Sequence, residues 1–332
     1  MTTGNTGTVL ITGPTSGLGR ALALELAGRA DVGRPDLLLV GRRGERLKEV
    51  IDLVRGAGAT AEGIACDLSR LADVRSAAVM ATDLIERGVV RPLHALVANA
   101  GVSTADTRVA SADGYEMTFA VNYLAHAQLI GDLLDSFTSP ARIVLLGSNV
   151  YRGLLRLRMM GIPAPEWRDP VEIAKPASDE KSPGMKAAGV AYSTSKLAIL
   201  YYAHELQRRV GDRITVTVFE PGVMPSTGLG REQRPAVQAL LRGAAHLPGA
   251  SSPTRAAPAL AAVVLDDRWA HLHGGAFVVL DKETEVMPHA VNRDRELRLW
   301  DATGELLERS QTDPGLTRPV SSLNGTATTS PR

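Results

Sequence analysis

The stretch Thr8-Val9-Leu10-Ile11-Thr12-Gly13-Pro14-Thr15-Ser16-Gly17-Leu18-Gly19, with Leu22 and Leu26 following at spacings of four, decides the fold. Its first five residues read as a strand, glycine and proline end that strand, and Leu18, Leu22 and Leu26 mark one face of a helix. Glycines at such a junction let the chain turn tightly and let backbone N–H groups approach a phosphate. The helix N-terminus behind them adds its partial positive charge. A glycine turn alone is a weak signal, because any tight turn can need one. Between a first strand and a first helix it points to dinucleotide binding, with Gly13, Thr15, Ser16, Gly17, Leu18 and Gly19 as candidate contacts.

Outward from this unit the same alternation repeats. Apolar runs at residues 37–40, 61–66, 93–97, 142–146, 214–219 and 276–280 read as strands. Helical patterns fit residues 45–55, 71–87, 115–137 and 192–209 between them. Nearly continuous apolar strands separated by helices are strands buried on both faces, which predicts an α/β fold with a parallel sheet. Two segments break the rhythm. Residues 149–189 hold five prolines and clustered charge. That is too long for a simple connection and reads as a lid. Residues 310–332 are rich in Ser, Thr, Pro and Gly and read as a disordered tail. A single domain over residues 1–309 is therefore expected.

Composition excludes several functions. Among 332 residues, 37 Lys and Arg nearly cancel 36 Asp and Glu, so no global field attracts nucleic acid. The lone cysteine, Cys66, rules out an internal disulfide and a cysteine-based zinc site, and its apolar setting reads as core. His271 and His273 form the one close pair among seven histidines, with no third ligand at suitable spacing, so no metal is expected. No apolar stretch approaches the ~20 residues of a spanning helix, and the opening residues are short and polar. A cytoplasmic protein without integral membrane association is the expectation. Alternating apolar and basic residues at 154–160 could touch a membrane, but adaptable methionines over an apolar ligand fit them better.

Two further patterns carry chemistry. After the second strand comes Val40-Gly41-Arg42-Arg43, two guanidiniums where an enzyme preferring NAD usually has an acidic residue for the ribose hydroxyl. The arrangement suits a 2′-phosphate, hence NADP(H); the bland alternative is a solvated basic turn. Tyr192-Ser193-Thr194-Ser195-Lys196 puts Tyr192 and Lys196 on one helix face. An ammonium beside a phenol lowers its pKa from ~10 toward a useful acid–base range. By itself that pair is common on helix surfaces.

Taken together, Thr12-Gly13-x-x-x-Gly17-x-Gly19, Asp67-Leu68, Ala98-Asn99-Ala100-Gly101, Asn122, Ser148, Tyr192-x-x-x-Lys196 and Pro221-Gly222 resemble the short-chain dehydrogenase/reductase family in order and context. The resemblance runs over residues 8–280, and the segment before Tyr192 and the Arg298-Leu299-Trp300 region are most similar to its retinol-dehydrogenase-like subgroup. It implies a Rossmann-type doubly wound parallel sheet and hydride transfer between NADP(H) and a ketone/secondary alcohol pair. Tyr192 would be the acid–base. Lys196 would hold the nicotinamide ribose and depress the tyrosine pKa, and Ser148 would bond the substrate oxygen. Asn122 would anchor a water in a proton relay. Asp67 and Leu68 would flank the adenine, while Asn99, Ala100 and Gly101 would support the cofactor ribose. Pro221, Gly222 and Val223 join the cofactor set, and either Ser226 or Thr227 takes the nicotinamide-amide contact.

Three departures stand out: Ala98 begins the Asn-Ala-Gly motif, Ser148 precedes Tyr192 by 44 residues, and two hydroxyl residues compete after Pro221-Gly222. Family members pair through the helix bearing Tyr192, so a homodimer is open. Against a ketoreductase of apolar or polycyclic substrates stand a catalytically silent NADP-binding regulator and a double-bond reductase. Retention of Tyr192, Lys196 and Ser148 disfavours the first, and the position of Cys66 disfavours the second.

Overall fold

Thr8–Thr12 (β1) is buried along its whole length, as an unbroken apolar run at the centre of a two-faced sheet must be. Around it, the computed structural model describes residues 7–29, 33–155, 158, 162–178, 184–222, 224 and 251–312. The strands Asp36–Gly41 (β2), Ala61–Ala65 (β3), Leu93–Ala98 (β4), Phe137–Leu146 (β5), Ile214–Glu220 (β6) and Ala276–Val279 (β7) run parallel. The two-residue Lys282–Glu283 (β8) closes the edge antiparallel. Their order is β3-β2-β1-β4-β5-β6-β7-β8. The direction of winding reverses between β1 and β4, and a crevice opens there at the C-terminal strand ends.

Alternate residues of β1 feed two cores. Val9 and Ile11 pack with Gly17–Gly28 (α1), Glu45–Gly56 (α2) and Pro253–Leu265 (α8). Leu10 faces the layer that holds Leu71–Glu86 (α3), Ala125–Leu133 (α5), Gly184–Val210 (α7) and Arg293–Thr312 (α9). The short helices Met117–Phe119 (α4) and Pro170–Ile173 (α6) complete the set. Cys66 is buried, and burial pushes its thiol up to about 12. Among the described residues, no helix is long and apolar enough to cross a membrane.

The single helix expected over residues 115–137 is helical from Met117 to Ser136 but changes type along its length. After α4 the chain makes a π-turn, Ala120–Leu124, before α5, and Phe137 already belongs to β5. Apolar periodicity does not distinguish a π-turn from α, and such wide turns cluster at functional sites. The helix carrying Tyr192 also begins earlier than its pattern suggested, at Gly184.

Part of the segment expected as a lid is tied down along α7. Between 162 and 178, Ser193 Oγ donates to the Pro163 carbonyl (2.8 Å), Glu166 N–H to Thr194 Oγ1 (3.0 Å), and Trp167 stands edge-on to Tyr201 at 4.7 Å. Ala177 N–H donates to the Thr107 carbonyl and Glu116 N–H to the Ala174 carbonyl. Residues 156, 157, 159 and 160 of the suggested membrane-contact or lid segment lie outside the described residues.

The tail is also shorter than expected. Helix α9 runs to Thr312, and Ser310 is buried with its hydroxyl and carbonyl receiving Arg75. Residues 313–332 lie outside the described residues. Three of the positions α9 buries are polar, Glu296, Thr303 and Ser310, and each has a partner. Glu296 meets His204 at 2.9 Å and pairs with Arg208, while Glu205 meets Arg209 at 2.8 Å and pairs with Arg293.

Burial raises both carboxyls, but the guanidiniums, with His204 on Glu296, outweigh it and hold them below the usual range. A depressed folded pKa stabilises above the unfolded value and is lost as pH falls through the folded one. The melting temperature should therefore drop on acidification below about pH 4.5. Glu296→Gln should lower it at pH 7 by the equivalent of about 1–2 kcal/mol and flatten the acid limb, as calorimetry would read. An unchanged acid limb would show that this cluster does not couple to unfolding.

Candidate active site

The glycine loop lies at the point where the sheet reverses. Gly13 and Gly17 hold φ of 65° and 57°, a left-handed backbone that side chains resist. A Cβ on Gly19 would lie 2.3 Å from the Gly13 carbonyl oxygen and 2.5 Å from Asn99 Nδ2, so the helix start can seat this close only without a side chain. Asn99 Nδ2 donates to the carbonyls of Thr12 (2.9 Å) and Gly13 (3.2 Å). Ala100 N–H donates to Thr12 Oγ1 at 3.0 Å, and Gly101 packs beside Asn122. Ser16 is the extended N-cap of α1 and makes no side-chain cap bond, and the first turn carries no acidic residue. Leu18 turns into the core, and Thr15 stays half-buried at the loop. Free N–H groups, a positive dipole end and close backbone approach make a cradle that fits an anionic phosphate.

Gly41 packs against Pro14 and Thr15, which brings the end of β2 to the same loop. Arg42 and Arg43 follow it, both exposed. Neither forms an ion pair among the described residues. Asp67 uses its carboxylate to accept from Ser69 N–H (3.0 Å) and Ser69 Oγ (2.8 Å), fixing the turn before α3, with Leu68 partly packed on the core.

The second cluster gathers around the ends of β5 and β6. Tyr192 and Lys196 share one face of α7, with Lys196 Nζ 5.6 Å from the Tyr192 ring centre. Lys196 is buried and donates to the Leu146 carbonyl at 2.8 Å, which ties α7 to the end of β5. Two residues on, Ser148 caps a short 3-10 turn, Asn149–Arg152. The next residue, Asn149, gives its N–H to the Glu220 carboxyl, which lies within charge range of Lys196 and Tyr192.

Asn122 sits inside the π-turn with its amide fully engaged. It accepts from Val102 N–H (2.7 Å) and donates to the Val102 carbonyl (3.0 Å) and Ser195 Oγ (3.1 Å). Its own carbonyl receives His126 Nδ1 at 3.2 Å, and His126 Nε2 meets Thr12 Oγ1 at 3.0 Å. Burial pushes His126 down to about 4, so the ring is a neutral bridge from the π-turn to β1.

The electrostatics differ from expectation at one point. Burial pushes the Tyr192 hydroxyl well above its ordinary value, and the Glu220 carboxylate adds to this. Lys196 does not reverse it, because burial lowers the ammonium itself, to about 8, and its hydrogen points at Leu146. Tyr192 is accordingly a protonated phenol, the form of an acid rather than a base.

Residues 7–153 match the short chain dehydrogenase family. A Streptomyces protein, DnrU, which carries the name of a daunorubicin C-13 ketoreductase, is 33% identical over 226 residues, 68% of each chain. The chain belongs to the short-chain dehydrogenase family. Mouse retinol dehydrogenase 14 is 33% identical over 68% of this chain, which matches 63% of that protein, so the chain spans just under two thirds of this relative. Among solved structures, a Burkholderia cenocepacia short-chain dehydrogenase in complex with NADP superimposes with a TM-score of 0.59 at 22% identity. That alignment covers 82% of this chain and 95% of the other.

The family motifs thus fall into two adjoining groups, a phosphate cradle and a Ser148–Tyr192–Lys196 cluster bridged by Asn122 and His126. Gly222, at φ 82°, turns the chain directly after Pro221. Val223, Ser226 and Thr227 lie outside the described residues. Sequence reading missed Glu220, Ser195 and His126. Glu220 directly precedes Pro221-Gly222, and that placement at a strand's C-terminal end was the available signal. Ser195 and His126 carried none.

Proposed function

We propose that this short-chain dehydrogenase is an NADP(H)-dependent ketoreductase with Tyr192 as its proton donor. One observation carries the reading: a phenol held protonated by burial shares a helix face with a buried ammonium, which bonds the end of β5 two residues before Ser148. The glycine cradle would hold the cofactor diphosphate, and Arg42 and Arg43 its 2′-phosphate. When bound, the nicotinamide supplies or accepts the hydride. Tyr192 Oη gives its proton to the carbonyl oxygen, where negative charge develops, and Ser148 Oγ orients that oxygen. Lys196 stabilises the phenolate left behind and recovers a proton through the region of Asn122. The retinol-dehydrogenase and ketoreductase names of the relatives favour an apolar or polycyclic ketone as substrate. NADPH consumption against a panel of such ketones tests the reading. Cofactor binding without turnover of any of them would favour a silent binding protein.

Helix α9 bears on assembly. Trp300 stacks on Tyr202 at 5.7 Å, and α9 holds His204, Glu205 and Arg208 through its own charges. It thereby covers the outer side of α7, through which family members pair. The chain is expected to behave as a monomer. Light scattering should give the chain mass of 35.2 kDa, and twice that mass would refute it.

A further inference from the structure

His126 is 3% exposed, and no step of the reaction as described uses it. On one side its ring reaches β1, where Nε2 meets Thr12 Oγ1 at 3.0 Å. Thr12 belongs to the cofactor cradle: Ala100 N–H donates to its hydroxyl (3.0 Å) and Asn99 Nδ2 to its carbonyl (2.9 Å). On the other side Nδ1 meets the Asn122 carbonyl at 3.2 Å, inside the π-turn. Asn122 Nδ2 donates in turn to Ser195 Oγ (3.1 Å), and Ser195 Oγ donates to the Tyr192 carbonyl (2.7 Å). One imidazole therefore stands between the residues that shape the cradle and the helix turn that carries the proton donor.

The sense of each bond follows from which groups can donate. Burial pushes the ring down to about 4, and the Lys196 charge adds to this, so the imidazole is neutral. A backbone carbonyl only accepts, so Nδ1 carries the hydrogen toward Asn122 and Nε2 is left as a bare acceptor. The Thr12 hydroxyl then gives its hydrogen to Nε2, in preference to the Val97 carbonyl 3.5 Å away. Its lone pairs remain for Ala100 N–H. At the far end the Tyr192 carbonyl takes the Ser195 hydrogen, which leaves Ser195 Oγ to accept from Asn122. Val102 N–H on Asn122 Oδ1 (2.7 Å) fixes the amide the same way round. Only one tautomer satisfies both ends, and Thr12, Asn122, His126 and Ser195 are all buried.

We propose that His126 is a positioning residue whose Nδ1–H tautomer ties Asn122, and through Ser195 the Tyr192 backbone, to the cofactor cradle. The proton donor is thereby set in place relative to the seat of the cofactor. The inference rests on the ketoreductase reading above for the role of Tyr192. No proton or hydride passes through the ring. A histidine that merely filled the core would act through its volume, whichever nitrogen carried the hydrogen.

The test has two arms on the full-length protein. In the first, imidazole nitrogen NMR spectra are recorded at pH 7, and the His126 signals are identified by their loss in His126→Asn or His126→Gln. The expected ring is neutral with its hydrogen on Nδ1. Ser195→Ala, two links away, should shift the Nδ1 resonance without any ligand, and NADPH binding to wild type should shift it too. A charged ring, hydrogen on Nε2, or an Nδ1 resonance that neither change moves overturns the inference.

In the second arm, kcat for ketone reduction and the NADPH dissociation constant are measured for His126→Asn, Ser195→Ala and the double variant. The asparagine side chain is too short to reach Thr12 and so cuts the tie at the cradle. It should lower kcat about tenfold and leave the dissociation constant within about twofold of wild type. Ser195→Ala should lower kcat by a similar factor. The double variant should lose little more than either single one, because both cut the same tie. Separate packing defects would multiply, so a double variant at the product of the two single losses overturns the inference, as does wild-type kcat in His126→Asn. Full activity of Tyr192→Phe would instead sink the ketoreductase mechanism and leave the imidazole spectra standing.

Discussion

Tyr192→Phe is expected to remove turnover while cofactor affinity stays within about twofold of wild type. A placed proton donor contributes about 10²–10⁴-fold to rate, and the phenylalanine ring keeps the packing of Tyr192 while deleting its only transferable proton. The structure sharpens this expectation, because burial holds the phenol protonated. Glu220 is the nearest rival, but its carboxyl is taken up by the backbone N–H groups of Asn149 and Gly222. Lys196→Ala should differ in kind. Its ammonium also bonds the Leu146 carbonyl, so the variant should lose thermal stability and cofactor affinity as well as rate. Steady-state kinetics with NADPH and a fluorescence titration of the cofactor separate the two patterns. A Tyr192→Phe enzyme with near-wild-type kcat would refute the assignment.

Replacing both Arg42 and Arg43 with alanine should cost NADPH roughly ten- to a hundredfold in affinity and leave NADH nearly unchanged. The range follows from one charge-assisted contact to a phosphate. The two arginines would not contribute additively, since they would share one phosphate and both are exposed. The tight packing of Gly41 on Pro14 and Thr15 makes the β2 turn part of the glycine-loop site, which favours a ligand role over a solvated turn. Exposure also predicts that added salt narrows the preference for NADPH. Single variants would show which guanidinium dominates. Equal kcat/KM for NADH and NADPH in wild type would reduce both arginines to surface charge.

The sequence by itself determined the doubly wound sheet, the glycine turn between β1 and α1 and the shared helix face of Tyr192 and Lys196. Each of these is a local matter: a run of apolar residues, glycines between a strand and a helix, a spacing of four along a helix. Such signals survive because the physics that makes them acts over a few residues. Helix α9 escaped notice because it buries Glu296, Thr303 and Ser310, and a pattern counted in apolar residues loses its period wherever a partnered polar group takes a core position. How the stretch 162–178 is tied down was not legible, because prolines and charge report only local polarity, whereas Ser193, Thr194 and Tyr201 hold it from the helix that follows. Asn122 was legible as a candidate, but its π-turn and its ties to Val102 and Ser195 were not. The sign of the Tyr192 shift was beyond the sequence altogether. A lysine four residues away predicts a lowered pKa, and the outcome depends on how much water the fold removes and where a third charge sits. That third charge is Glu220, 28 residues beyond Tyr192, brought beside Asn149 and within charge range of Lys196 only because β5 and β6 are neighbours in the sheet. Burial and cross-strand adjacency are properties of the assembled fold, so the chemistry they set had to wait for it.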